Sequence, residues 1–147
     1  DISAWESMLE SILFAGFQIT AIWPVRNEVY SEKADATRVL IVIRKAERQN
    51  QITRRNFINL LKRELPIKLE QLFLGEIDEQ DRSLTAMGAG LRIFSQYKKI
   101  LNADASLMSV HDALQIINQE TREYIDQHFN TRGGADTITK EEETHAR

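Results

Sequence analysis

The run Ala15-Gly-Phe-Gln-Ile-Thr-Ala-Ile-Trp-Pro-Val-Arg-Asn-Glu28 limits the folds open to this chain more than any other stretch. Gly16 stops a helix. From Phe17 to Trp23 the residues alternate as in a strand, with Phe17, Ile19, Ala21 and Trp23 on one face and Gln18, Thr20 and Ile22 on the other. Pro24 has no N–H to give a sheet ladder, so the strand should end there. Val25-Arg26-Asn27-Glu28 then makes a charged loop at a strand end, where α/β folds usually handle ligands. Asp35 to Arg38 closes the loop, and Val39-Leu-Ile-Val-Ile43 follows as a second strand. It is apolar on both faces, which predicts burial on both sides. A loop of this length returns the chain without a crossover helix, so the two strands should be antiparallel neighbours. The pattern suits a purely structural hairpin as well as one whose loop handles a ligand.

Two strands are too few to stand alone in water, so more strands are expected from a partner or from an N-terminal part of the protein that precedes this stretch. The chain has 147 residues, 42% apolar and 28% charged, enough for one modest domain with a core. Its net charge of −3 excludes a nucleic-acid polycation as a whole. The absence of cysteine excludes disulfides, thiolate chemistry and zinc ribbons, and fits a reducing cytoplasm, the expected location. No apolar run nears the roughly 20 residues of a membrane span, and no signal peptide is visible, so no membrane partner is expected. The first residue is Asp1, and Ser3 already opens a helix without a lead-in, which predicts a piece of something longer.

Ser3-Ala-Trp-Glu6 reads as a capping box. Trp5, Met8, Leu9, Ile12 and Leu13 then make one apolar helical stripe for the hairpin to lie against. Arg44 to Gln51 is polar and reads as the boundary with a helical part. Thr53 suits an N-cap, with Phe57, Leu60, Leu61 and Leu65 as the stripe; Pro66 should restart a second helix carrying Leu69, Leu72 and Phe73. Another short helix is expected from Asp78 to Met87, with Gly88-Ala-Gly90 as a turn and Leu91 and Phe94 packing beyond it. Lys98–Leu101 and Leu107–Ser109 should form a small hairpin around Asn102–Ser106. Ser109-Val-His-Asp112 caps a helix with Val110, Ala113, Leu114, Ile117, Thr121, Tyr124, Ile125 and His128 along one stripe, ending near Phe129. Residues 130–147 are polar and predict a disordered tail. The expected organisation is therefore an α+β or α/β fragment. A sheet edge occupies 1–45 and a mainly helical module 46–129, with the tail after it.

From about Ala4 to Phe129 the chain resembles the C-terminal portion of the large prokaryotic adenine-specific DNA methylases, class I enzymes often found near restriction and anti-phage genes. The likeness rests on Ala15-Gly-Phe17, Trp23-Pro-Val-Arg26 with Glu28, the apolar strand, Leu65-Pro66, the Asp78/Asp81 region, Met87-Gly-Ala-Gly90, Phe94-Ser-x-Tyr97, the Asp104 turn, and Met108-Ser-Val110 with Ala113-Leu114 and Ile117-Asn118. The family favours Gly-Pro-Gly where this chain has Gly88-Ala89-Gly90, and Asp-Gly where it has Asp104-Ala105. The resemblance implies that the helix and two strands finish a methyltransferase sheet, that an accessory helical module of unknown function follows, and that the parent enzyme uses S-adenosylmethionine.

Adenine methylation needs a glycine-rich cofactor loop and an (Asp/Asn/Ser)-Pro-Pro-(Tyr/Phe) turn that holds the flipped base. The only prolines here, Pro24 and Pro66, have no proline neighbour, and there is no such glycine loop. This chain alone is therefore expected to have no catalytic residue, bound cofactor or metal. The basic residues Arg54, Arg55, Lys62, Arg63 and Lys68 are candidate DNA contacts, or a solvated helix face. Trp23, Arg26 and Glu28 are candidates beside a site, or a loop ion pair. His111 is expected at the surface. The function predicted is completion of the methyltransferase fold and help in DNA binding; the rival is a non-catalytic protein-interaction module derived from such an enzyme. If nothing covers the apolar strand, it should mediate a homodimer, or the helices from Thr53 onward should fold back over Leu40 and Val42.

Overall fold

The computed structural model describes residues 2–25, 38–45, 47–75 and 77–130. The expected loop with Arg26 and Glu28, and the expected tail from residue 131, lie outside the described residues. Helix α1 (Ile2–Phe14) buries Leu9 and Leu13 and half-buries Trp5 and Ile12. Its end is closed by the Gly16 N–H, which donates to the Leu13 carbonyl at 3.0 Å, with Gly16 at φ 91, a region open to glycine. Arg48 donates to the same carbonyl at 3.0 Å. The helix starts at Ile2, so Ser3 lies inside it and not at an N-cap. The Glu6 carboxylate reaches His111 instead of closing a capping box, and the Ser3 side chain is outside the described residues.

Strands β1 (Phe17–Val25) and β2 (Arg38–Lys45) are antiparallel, as expected. Their register slips once: Ile19 pairs with Ile43 but Ala21 with Val42, leaving Thr20 as a bulge. One extra residue changes the parity of everything after it. Ile19 and Ile22, expected on opposite faces, are therefore both in the core at 0% and 1% exposure, and Trp23 is turned outward. The strand also runs through Pro24, because a two-stranded sheet has only edge strands, where proline is tolerated. The expectation that β2 is buried on both sides fails. Val39 and Ile41 are half-buried, but Leu40, Val42 and Ile43 are exposed. Helices lie under one face of the hairpin only, and the helices after Thr53 leave Leu40 and Val42 uncovered.

The polar stretch from Arg44 to Gln51, expected as a boundary, carries strand at both ends. β2 continues to Lys45, and Gln49–Thr53 forms β3, which pairs in parallel with β4 (Tyr97–Leu101), setting Ile52 beside Ile100. The small hairpin after β4 forms as expected: Leu101 bridges Leu107, and the Met108 N–H donates to the Ile100 carbonyl at 2.8 Å. In its turn Ala105 has φ 67, the left-handed region that favours glycine.

Helix α2 (Arg54–Leu74) is one helix of 21 residues, not two. Phe57, Leu61, Leu65 and Leu69 are buried at every fourth position, straight through Pro66. An internal proline costs about 3 kcal/mol. Each of those side chains returns roughly 1.5–3 kcal/mol on burial, so the continuous stripe prevails. Helix α3 (Glu79–Phe94) likewise runs through Gly88-Ala89-Gly90, the expected turn. A Cβ on Gly88 would lie 2.4 Å from the Ile22 backbone nitrogen, and one on Gly90 would lie 2.5 Å from Ile117 Cγ2. The two glycines are where α3 meets β1 on one side and helix α4 (Val110–Ile125) on the other. Ser95, fully buried at the end of α3, accepts from the Ile19 N–H at 3.0 Å and donates to the Ile19 carbonyl at 3.1 Å, closing the outer edge of β1 there. Ser109 caps α4 by accepting from the Asp112 N–H at 3.1 Å, as its sequence predicts. A π-helical turn, Asp126–Asn130, follows, and Arg82 sits between the rings of Phe73 and Phe129, 5.6 and 4.6 Å from their centroids. The fold is α+β, and Leu9, Ile19 and Ile22 share one apolar core with Phe57, Leu91 and Ile117.

Candidate nucleic-acid interface

Helix α2 begins where β3 ends, so Thr53 both finishes a strand and caps a helix, accepting from the Asn56 N–H at 3.2 Å. That junction puts Arg54 and Arg55 in the first turn, facing the Asn102–Ser106 turn after β4. Between them runs an open groove of about 540 Å³, with Arg54, Arg55 and Asn59 on one wall and Leu101, Asn102 and Ala103 on the other. Arg54 donates to Asn102 Oδ1 at 3.0 Å, which orients the guanidinium and leaves its remaining N–H groups for another acceptor. Asp104 shapes the far wall. It accepts from the Ser106 N–H at 3.0 Å and from the Ser106 hydroxyl, and those bonds hold its carboxyl below the usual carboxylate value. Two arginines at a helix N-terminus over a largely apolar floor can hold a phosphate oxygen, through charge, donors and helix dipole together. They offer no nucleophile and no general base.

The other expected contacts do not join them. Lys62 pairs with Glu120 of α4 at 3.3 Å, so its charge serves a helix–helix contact. Arg63 and Lys68 are exposed, and they lie about 12 and about 20 Å along the helix axis from Arg55. Of the expected residues beside the hairpin loop, Trp23 is 39% exposed on the open face of the hairpin, while Arg26 and Glu28 lie outside the described residues. His111 is at the surface as expected; its Nδ1 lies 2.5 Å from Glu6 Oε1, and that bond raises the imidazole pKa. It ties α1 to α4 and does not line the Arg54–Arg55 groove. Among the described residues, no group of three or more His, Asp or Glu side chains is placed to hold a metal ion.

Sequence reasoning overlooked the β3–β4 ribbon between these arginines and a second groove, of about 340 Å³, lined by Phe14, Arg48, Tyr97, Lys98 and Lys99. The available signal was the recurrence of Arg48, Arg54 and Arg55 around an amide-rich run, which reads as linker until β4 is seen to pair with it. No family model matches this chain, and no match to it was found among curated proteins or solved structures.

Proposed function

We propose that this chain is the C-terminal part of an adenine-specific DNA methyltransferase of the family it resembles. It completes the catalytic sheet through β2 and helps hold DNA through the Arg54–Arg55 groove. Catalysis and S-adenosylmethionine belong to the catalytic half. The observation that carries the reading is the asymmetry of the hairpin. The outer edge of β1 is occupied: Ser95 bonds both polar groups of Ile19, and α3 touches the Ile22 backbone at Gly88. The outer edge of β2 has no strand beside it among the described residues, and the face next to it carries Trp23, Val25, Leu40 and Val42, all exposed. A Val-Leu-Ile-Val-Ile edge strand in this condition suits the inside of a larger sheet, because every such side chain left wet forgoes roughly 1.5–3 kcal/mol of burial.

Val42→Lys tests this. The side chain is exposed, so the variant should fold with the helix content of the parent. The unaltered chain should self-associate through β2 when alone, as sedimentation would report, and should form an active complex when co-expressed with the catalytic half. Val42→Lys should abolish both. An unaltered complex with the lysine variant, or saturable micromolar binding of S-adenosylmethionine by the chain alone, would overturn the assignment. The rival, a non-catalytic interaction module, would use the same open face; a partner that lacks the proline-pair turn would decide for it.

A further inference from the structure

We propose that the outward face of the β3–β4 ribbon reads base edges in the major groove of duplex DNA, with Gln49 and Gln51 as the reading side chains. This rests on the DNA-holding role proposed above and adds sequence discrimination to it. The residues of β3 are Gln-Asn-Gln-Ile-Thr, and only Ile52 is even half-buried. Glutamine and asparagine are poor strand formers, so neither propensity nor burial accounts for an exposed strand made of them. A local rule broken without a packing gain points to function.

The pairing register decides what stands on the exposed face. Gln49 lies beside Tyr97, Gln51 beside Lys99 and Thr53 beside Leu101, while Ile52 and Ile100 share the opposite face and pack into the core. Two amides and a lysine are thus held in a row on a two-stranded ribbon, an element of a width that the major groove admits. Gln49 and Gln51 are about 6.6 Å apart along the strand, close to the roughly 6.8 Å of two base-pair steps. A glutamine amide can bond adenine at N6 and N7 together, and Lys99 beside Gln51 can meet a backbone phosphate.

The charges around the ribbon fit a polyanion. Arg48 precedes β3, Arg54 and Arg55 follow it, and Lys98 and Lys99 lie on β4. The carboxylates of the same segments are Glu47 and Asp104. The arginines at the ends of a five-residue strand stand about 16–20 Å apart, a span suited to phosphates on either side of a groove. A single strand fits less well. Stacking needs successive aromatic platforms, and the ribbon offers Tyr97 alone, half-buried.

The test is selection from a pool of randomised duplexes by the 147-residue chain, followed by anisotropy titrations against the selected and a scrambled duplex. The unaltered chain should enrich a short motif with two adenines separated by one base pair. Gln49→Ala and Gln51→Ala should each relax one of those positions, cutting the affinity ratio between selected and scrambled duplex by about tenfold to hundredfold. Lys99→Ala should weaken both duplexes and lower the salt slope by about one. Circular dichroism of each variant separates these effects from unfolding. If the chain binds duplexes in a salt-dependent way but enriches nothing, or if both glutamine variants select the same motif, base reading falls while the DNA-holding role stands. If the chain binds no duplex at low salt, both fall, and completion of the catalytic sheet is still judged separately by Val42→Lys.

Discussion

Gly88→Ala tests the contact on which the architecture turns, the seating of α3 against β1. In an isolated or exposed helix this substitution is favourable by about 0.8–1.0 kcal/mol, because alanine loses less backbone freedom than glycine. Here the new Cβ would lie 2.4 Å from the Ile22 nitrogen, 3.1 Å from its Cα and 3.0 Å from its Cβ. Carbon contacts are comfortable at about 3.5–4.0 Å, so α3 must retreat by roughly 1 Å. The strand cannot yield in its place. Ile22 is paired with Ile41 on one side, and three residues earlier Ser95 holds both polar groups of Ile19. Overpacking of this kind costs about 1–3 kcal/mol, and the retreat also loosens the packing around Ile22. After the helix-propensity gain, a net loss of about 1–2 kcal/mol is expected. For a chain of this size that lowers the melting temperature by about 3–7 °C. Gly90→Ala should cost a similar amount, since its Cβ would lie 2.5–2.8 Å from atoms of the Ile117 side chain, which is β-branched, in a helix and fully buried, and so has no free rotamer to turn to. Urea titration followed by the fluorescence of Trp5 and Trp23 measures both variants. A Gly88→Ala variant about 1 kcal/mol more stable than the parent would refute the seating, since that is the result for a glycine touching nothing.

Two more outcomes follow from single residues. Ala105→Gly should stabilise the chain by about 1 kcal/mol in the same titration, because Ala105 has φ 67, which costs an L-residue roughly that much; an unchanged midpoint would contradict the turn geometry. His111 has its pKa raised above 6.5 by the hydrogen bond and charge of Glu6, so its contribution is fully present below 6.5 and is lost as pH rises through the higher folded value. The midpoint difference between the parent and His111→Ala should therefore shrink with rising pH, and a constant difference would refute the Glu6–His111 link.

What could be read from the residues and what could not differ in range. Ser109 and Thr53 were legible as helix caps because the bond each makes is local, and the stripe of α4 because its period lies within one element. The antiparallel hairpin was legible for the same reason. The bulge at Thr20 was not. It goes with contacts that no local pattern announces: Ser95, far along the chain, bonds Ile19, and the Thr20 hydroxyl donates to the Val42 carbonyl at 3.1 Å. Pro66 and the Gly88–Gly90 pair carry strong local signals for a break, and both signals lose to tertiary packing. The cations of α2 looked like one basic patch in sequence. Of these, Arg54 and Arg55 line the groove, while Lys62 is engaged by Glu120 and Lys68 lies about 20 Å further along the helix. The β3–β4 pairing was least legible of all, since Gln49–Gln51 has no strand propensity and its partner lies across the whole helical region.

The two sheets share a plan that makes their differences informative. Each has one strand with its outer side occupied, β1 by Ser95 and α3, and β4 by the bridge to Leu107. Each has one strand, β2 or β3, with no strand beyond it among the described residues. Open edges normally carry charge, proline or a covering element, since an apolar one pairs with whatever strand it meets. β2 breaks that rule with the apolar Val39-Leu-Ile-Val-Ile43, and β3 breaks it with the uncharged amides of Gln49-Asn50-Gln51. The first edge is suited to a protein strand and the second to a polar, hydrogen-bonding partner. Only three residues separate Lys45 at the end of β2 from Gln49 at the start of β3. A protein sheet that took up β2 would therefore also set the position of the β3 ribbon, with its arginines, to within the reach of those three residues. Under the role proposed for this chain, that short connection would give the helical module a register to work from. It also explains why the hairpin and the helical region share one core where two jointed domains could have stood.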